Sequence, residues 1–208
     1  FTMMEFYAAY MEYNGLMDET EALVKSVVRK VKGRSTLTYQ RRRIGLSRAW
    51  PRLTVQDAYQ CYSGVSAEGS LADASFDERM VRDIEPQLGY PVPTFLYDYP
   101  ASRGSLARLR ADNPSVAERF ELYIAGMELA NGFSELVNAA EQRQRFVAEE
   151  AYRRSMGKRP YPTAVKFLQE LEDMPPSAGI ALGVDRLVML LQDTDSIDEV
   201  VAFTPEEL

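Results

Sequence analysis

The stretch that decides the fold runs from Val116 to Leu136, VAERFELYIAGMELANGFSEL. Phe120, Leu122 and Ile124 alternate with Arg119, Glu121 and Tyr123, the period-two pattern of a half-buried strand. Ala125-Gly126 offers a tight turn, and Met127 to Phe133 reads as the returning arm of a hairpin. Downstream, the sequence predicts a long helix from about Asn138 to Met156, stopped by Gly157 and Pro160, and another over about Thr163 to Glu172. Ile180 to Gly183 is a small-residue strand that opens directly into a helix at Val184 to Leu191.

Upstream, Phe1 to Tyr7 reads as a strand or strand end, and Leu16 to Val31 as an amphipathic helix ending before Gly33. Ser35 to Tyr39 is β-prone. Trp50-Pro51 breaks the chain, and Thr54-Val55-Gln56-Asp57 has capping-box form for a short helix. The Gly, Ser and Ala content of Ser63 to Ser75 predicts a flexible loop. Ser75-Phe76-Asp77-Glu78 starts a helix to about Leu88, Gly89 to Pro93 is a turn, and Thr94 to Tyr99 a short strand. No repeat and no second domain are visible. The sum is an α+β fold, a mostly antiparallel sheet with helices packed on it, expected to form one domain over residues 1–208.

Composition bounds the function. The 208 residues are 46% hydrophobic and 11% aromatic with a net charge of −7, a chain that can bury a core and is not predominantly disordered. No histidine is present, so His triads, His metal sites and His proton shuttles are excluded. The most apolar run, Ala178 to Leu191, is short and interrupted by Asp185 and Arg186, so no membrane span is expected. A single cysteine, Cys61, predicts a reducing compartment, the cytoplasm, and Glu5 interrupts any signal-peptide-like run. Between Ala22 and Gln56 there is no acidic residue, while Lys25, Arg29, Lys30, Lys32, Arg34, Arg41, Arg42, Arg43, Arg48 and Arg52 all fall there. That segment is either a docking surface for an acidic macromolecule or a solvated helix end and hairpin.

Four features carry chemistry. Glu121 and Glu128 sit on opposite arms of the hairpin, where facing like charges need a cation between them. Oxygen-only ligands suit Mg²⁺ or Mn²⁺ rather than zinc; the plainer reading pairs one glutamate with Arg119 or leaves it in water. Asn131, Phe133 and Glu135 occupy alternate positions and so share a face fit for a polar, amine-bearing molecule, or else line a solvated edge. In GIALGVDR, Gly179 to Arg186, small residues would let a ligand lie on the strand, with Arg186 meeting phosphate; close strand–helix packing is the alternative. Glu5 and Tyr7 share a strand face with Phe1 and Met3.

Together these segments resemble the class II aminoacyl-tRNA synthetases of the lysine, aspartate and asparagine branch. FTMMEFYAAY is similar to the end of that family's second signature motif, RFELYIAGMELANGFSEL to its metal and amino-acid segment, and GIALGVDRLVML to its third motif. The resemblance implies ATP and Mg²⁺ as cofactors. It implies that Phe1 stacks on adenine, that Arg186 contacts the terminal phosphate beside Gly183, and that Glu121 and Glu128 bind Mg²⁺. By the same resemblance Glu5 faces the substrate's backbone amine, Tyr7 and Glu135 hold a distal lysine ammonium, Asn131 meets the carboxylate and Phe133 lines the pocket.

Within the branch, PTFLYDYPASRGSLARL and Ala181 are similar to the elongation factor P lysine ligases rather than the lysyl-tRNA synthetases. The implied function is activation of lysine or (R)-β-lysine as an adenylate and its transfer to a lysine of elongation factor P. The alternatives are the catalytic core of a lysyl-tRNA synthetase, with tRNA as acceptor, and a non-catalytic lysine-binding module. A methyl at Ala181 beside the amine-bearing carbon would crowd α-lysine, a difference worth about 10–200-fold. The family's first motif and the first strand of its second, with the α-phosphate arginine, are expected upstream of Phe1, as is the interface of a homodimer.

Overall fold

The computed structural model describes residues 1–204. The elements follow in chain order: β1 (Met3–Ala9), α1 (Tyr13–Lys32), β2 (Thr36–Tyr39), β3 (Arg42–Gly45), β4 (Arg52–Thr54), α2 (Val55–Ala58), α3 (Ala67–Ala72) and α4 (Phe76–Arg79). Then come β5 (Thr94–Pro100), β6 (Val116–Ile124), β7 (Met127–Ser134), α5 (Ala139–Ser155), α6 (Val165–Glu170), β8 (Ser177–Gly183) and α7 (Val184–Gln192). Six strands form one sheet in the order β1-β8-β7-β6-β5-β4, antiparallel except where β4 runs parallel to β5. The expected α+β architecture, a mostly antiparallel sheet with flanking helices, is the one observed.

One face of the sheet packs on α1, whose Leu16, Met17, Val24 and Val28 are fully buried. They meet Phe120, Leu122, Ala130, Ile180 and Leu182, the residues of β6, β7 and β8 that alternation sends to that side. Gly33 ends α1 in the left-handed conformation, its N–H donating to the Arg29 carbonyl. The β2–β3 hairpin packs against α7 in the same layer. On the opposite face, toward β5, α2 to α4 and the helical turns that continue α2 and α4 bring Tyr59, Phe76, Met80 and Ile84 onto Leu96, Tyr99 and Tyr123. Toward β1 the candidate residues Glu5, Tyr7 and Arg186 are exposed and Ala181 only partly buried.

Two local expectations are corrected. Ser63 to Ser75 is not simply a loop: it contains α3, because the Ser66 hydroxyl accepts from the Gly69 N–H and caps it. Small residues read as flexible, yet Ala67 and Ser70 are small enough to be buried under their neighbours. The strand at β6 is not half-buried but largely buried on both faces, since Glu121 and Tyr123 are buried as well, Tyr123 in the cluster formed with α2 to α4. The helix at Phe76 continues as expected to Gln87, but widens through Met80–Ile84 and tightens at Glu85–Gln87. The capping at Thr54 holds, its hydroxyl accepting from the Asp57 N–H.

Candidate functional site

The hairpin closes on Ala125-Gly126, both with positive φ, so Ile124 pairs with Met127 and Tyr123 with Glu128. A bulge then absorbs Leu129, and from there Leu122 pairs with Ala130, Glu121 with Asn131 and Arg119 with Phe133. Leu129 and Ala130 consequently both enter the core, each 2% exposed. The shift has a direct consequence. Strict alternation would put Glu128 on one face and Asn131, Phe133 and Glu135 on the other; the extra residue brings them to the same face.

It also corrects the expectation that Glu121 and Glu128 face one another. Glu128 lies opposite Tyr123 and Glu121 opposite Asn131, so the carboxylates are diagonal neighbours on one face. They still sense each other: Glu128 is held above the usual carboxylate range by burial and then by repulsion from Glu121. A third acid, Glu85, is raised by burial and by Glu121, and the Tyr123 hydroxyl lies 3.3 Å from it.

Both carboxylate oxygens of Glu121 accept hydrogen bonds. Arg119 donates to Oε1 at 2.6 Å, while the hydroxyls of Tyr99 and Tyr123 donate to Oε2 at 2.5 and 2.7 Å. The plainer sequence reading, a glutamate paired with Arg119, therefore also holds. Arg186 donates to the Glu128 carbonyl and stands 3.6 Å from its carboxylate, so this arginine pairs with Glu128 rather than Asp185. Asp185 instead accepts from the N–H of Thr2 and Val184 donates to the Thr2 carbonyl, which ties the start of β1 to the head of α7.

Sheet register assembles the rest into two rows. Glu5 pairs with Ala181, Ala181 with Asn131, and Asn131 with Glu121, a line across four strands. Beside it run Tyr7, Gly179, Phe133 and Arg119. Gly179 is the floor of a slot: a Cβ there would lie 2.4 Å from Glu135 Oε1 and 2.6 Å from the Tyr7 ring. Only glycine lets the Glu135 carboxylate and the Tyr7 phenol converge over the strand. Burial alone drives Glu135 up to about 7, and Tyr7 is raised by burial and by Glu135 and Glu5. A half-buried carboxylate of this kind gains strongly from a cationic ligand.

Next to the slot, Phe1, Met3, Glu128, Asn131, Ala181, Gly183 and Arg186 line a cavity of about 270 Å³. Phe1, 96% exposed, stands at its rim. The sequence-derived candidates Phe1, Glu128, Asn131, Ala181, Gly183 and Arg186 thus share one cavity, and Glu5, Tyr7, Phe133, Glu135 and Glu121 extend the same sheet face. The basic segment is not part of it. Its residues lie on α1, on the β2–β3 hairpin and, for Arg52, at the start of the edge strand β4, with Arg52 paired to Asp18 and Lys25 to Glu21. Sequence reasoning missed Tyr99, Tyr123 and Glu85; nothing local marks them, because the fold alone brings them to Glu121.

The donor chemistry fits Mg²⁺. Among the described residues no group of three or more acidic or thiol side chains could hold a metal. Two carboxylate residues on one face with mutual repulsion suit an ion that keeps water and phosphate as its other ligands. No helix among the described residues is long and apolar enough to cross a membrane, and Cys61 is exposed and unpaired.

Residues 1–207 match the family profile of tRNA synthetases class II (D, K and N). The chain is 38% identical to a lysine–tRNA ligase of Moorella thermoacetica over 98% of its own length and 46% of that protein's. The corresponding protein of Magnetococcus marinus is 40% identical over 98% of the chain and 45% of its own length, and that of an Azoarcus species 37% identical with the same coverage. The chain spans somewhat under half the length of these relatives. With a family match over residues 1–207, the chain belongs to the class II tRNA synthetases of the D, K and N branch.

Proposed function

We propose that residues 1–208, of which 205–208 lie outside the described residues, form a class II catalytic domain that activates lysine or (R)-β-lysine with ATP. In this reading the product is an adenylate that passes to a lysine of elongation factor P. The observation that carries it is the paired row across the sheet, ending in the Glu135–Tyr7 slot. A distal ammonium sits between Glu135 and Tyr7, the aliphatic chain runs along Phe133 over Gly179, and the carboxylate reaches Asn131. Glu5 faces the backbone amine. ATP occupies the adjoining cavity, with adenine on Phe1 and the terminal phosphate at Arg186, which leaves Glu128 for it.

The substrate carboxylate oxygen then forms a bond to the α-phosphorus as the bond to the bridging oxygen breaks and pyrophosphate leaves. No protein base is needed, because a carboxylate arrives already ionised; the work is alignment and charge neutralisation. Glu121 and Glu128 would hold Mg²⁺, which when bound offsets the phosphate charge.

Ala181 favours the β-amino acid. It stands in the row between Glu5 and Asn131, where its methyl meets the amine-bearing carbon. A second reading, charging of tRNA with α-lysine, is favoured by the names of the relatives at 36–40% identity. The two separate in one assay: purified protein, ATP and labelled amino acid, with elongation factor P or tRNA as acceptor. Label on the protein acceptor, greater with (R)-β-lysine, supports the first reading; label on tRNA with α-lysine replaces it by the second.

A further inference from the structure

We infer that Arg119 is a positioning residue that fixes the carboxamide of Asn131 with its NH₂ toward the ligand, so that this subsite selects an anion. The inference rests on the reading that the amino acid's carboxylate binds at Asn131, and it adds what makes Asn131 a donor there.

Arg119 is held on several sides. Its Nη1 donates to the Arg103 carbonyl at 2.7 Å, its Nη2 to Glu121 Oε1 at 2.6 Å, and its plane lies 4.4 Å from the Tyr99 ring centre. The remaining Nε donates to Asn131 Oδ1 at 3.3 Å. A carboxamide has an accepting and a donating end, and a neutral environment leaves either free to face a ligand. Guanidinium removes the choice because it carries five donors and no acceptor, so the amide oxygen must turn to Arg119. Asn131 lines the cavity, and with its oxygen engaged Nδ2 is the end left for the cavity side. An NH₂ group welcomes a carboxylate and repels an ammonium. The same arginine spans Glu121 and Asn131, which are cross-strand partners, and so ties the carboxylate pair to the substrate row.

The test compares L-lysine with 1,5-diaminopentane, which lacks the carboxylate, by calorimetric titration of the 208-residue chain. In Arg119→Met, lysine is expected to bind about ten- to a hundredfold more weakly, the worth of one charge-assisted hydrogen bond, with the diamine changed less than twofold. Parallel weakening of both ligands, or no change in either, overturns the proposal and leaves Arg119 a structural residue. Asn131→Asp keeps an oxygen for Arg119 and replaces the donor, so it gives the answer even if Arg119→Met does not fold. It is expected to lose lysine and keep or tighten the diamine; lysine bound as in the wild type overturns the proposal. Wild-type protein that does not prefer lysine over the diamine would overturn the carboxylate site itself, and the inference with it.

Discussion

On the proposed function, lysine binding depends on pH through Glu135, in a direction that its surroundings dictate. Its carboxyl is driven up to about 7 by burial, and no neighbouring charge contributes to the shift. If only the ionised form accepts the substrate ammonium, the apparent dissociation constant scales as one plus ten to the power of the pKa minus the pH. Affinity then falls about elevenfold at pH 6 and about twofold at pH 7, and is close to its limit at pH 8. The lysine side chain keeps its charge across this window, because its own pKa is about 10.4. Tyr7, raised above its ordinary value, stays neutral throughout.

The assay is titration calorimetry with L-lysine at pH 6, 7 and 8 in buffers of differing ionisation enthalpy. Proton release on binding below pH 7 should accompany the affinity change. Glu135→Gln should bind about tenfold or more weakly at pH 8 and lose the slope, since a charge-assisted bond becomes a neutral one. The same shift acts on the ligand-free fold. The folded state keeps this proton after the unfolded chain has lost it, so stability declines as pH rises from 4.5 to about 7. A wild-type affinity that is flat from pH 6 to 8, or an equal slope in Glu135→Gln, would refute the reasoning.

Three further outcomes follow from the geometry. Gly179→Ala would set a methyl 2.4 Å from Glu135 Oε1 and 2.6 Å from Tyr7, so lysine affinity should fall by about tenfold or more while the circular dichroism spectrum is kept. Ala181→Gly removes the methyl between Glu5 and Asn131 and should move the ratio of α-lysine to β-lysine activation upward by about 10–200-fold, read by steady-state kinetics with each substrate. Tyr99→Phe takes one of three donors from the buried Glu121 carboxylate and should cost about 1.5–3 kcal/mol in urea unfolding; a loss within error would mean that Arg119 and Tyr123 suffice.

Much of this site could be read from the chain because its elements carry strong local signals. Alternation over Phe120 to Ile124, the Ala125-Gly126 turn, and the small-residue strand running from Ile180 into α7 all formed where expected. What the sequence hides is register. The bulge at Leu129 leaves no compositional mark, since leucine and alanine in succession suit a regular strand as well as a bulged one. Yet it decides whether Glu128 and Asn131 share a face. The tyrosine partners of Glu121 are hidden for a different reason: Tyr99 is 22 residues away and reaches it only because β5 pairs with β6. Ser63 to Ser75 misled because small residues serve both loops and closely packed short helices. The basic run from Lys25 to Arg52 was legible as charge but not as location: it lies on α1, the β2–β3 hairpin and the start of the edge strand β4, away from the candidate cavity.

The central claim is that the two rows across β1, β8, β7 and β6 bind a lysine-type amino acid for activation by ATP. Amino-acid-dependent exchange of labelled pyrophosphate into ATP by the purified protein tests it most directly. Exchange that requires lysine or (R)-β-lysine, is silent with aspartate and asparagine, and is lost in Glu135→Gln at low substrate is the expected result. Exchange driven equally by aspartate or asparagine, or no exchange with any amino acid, would contradict it.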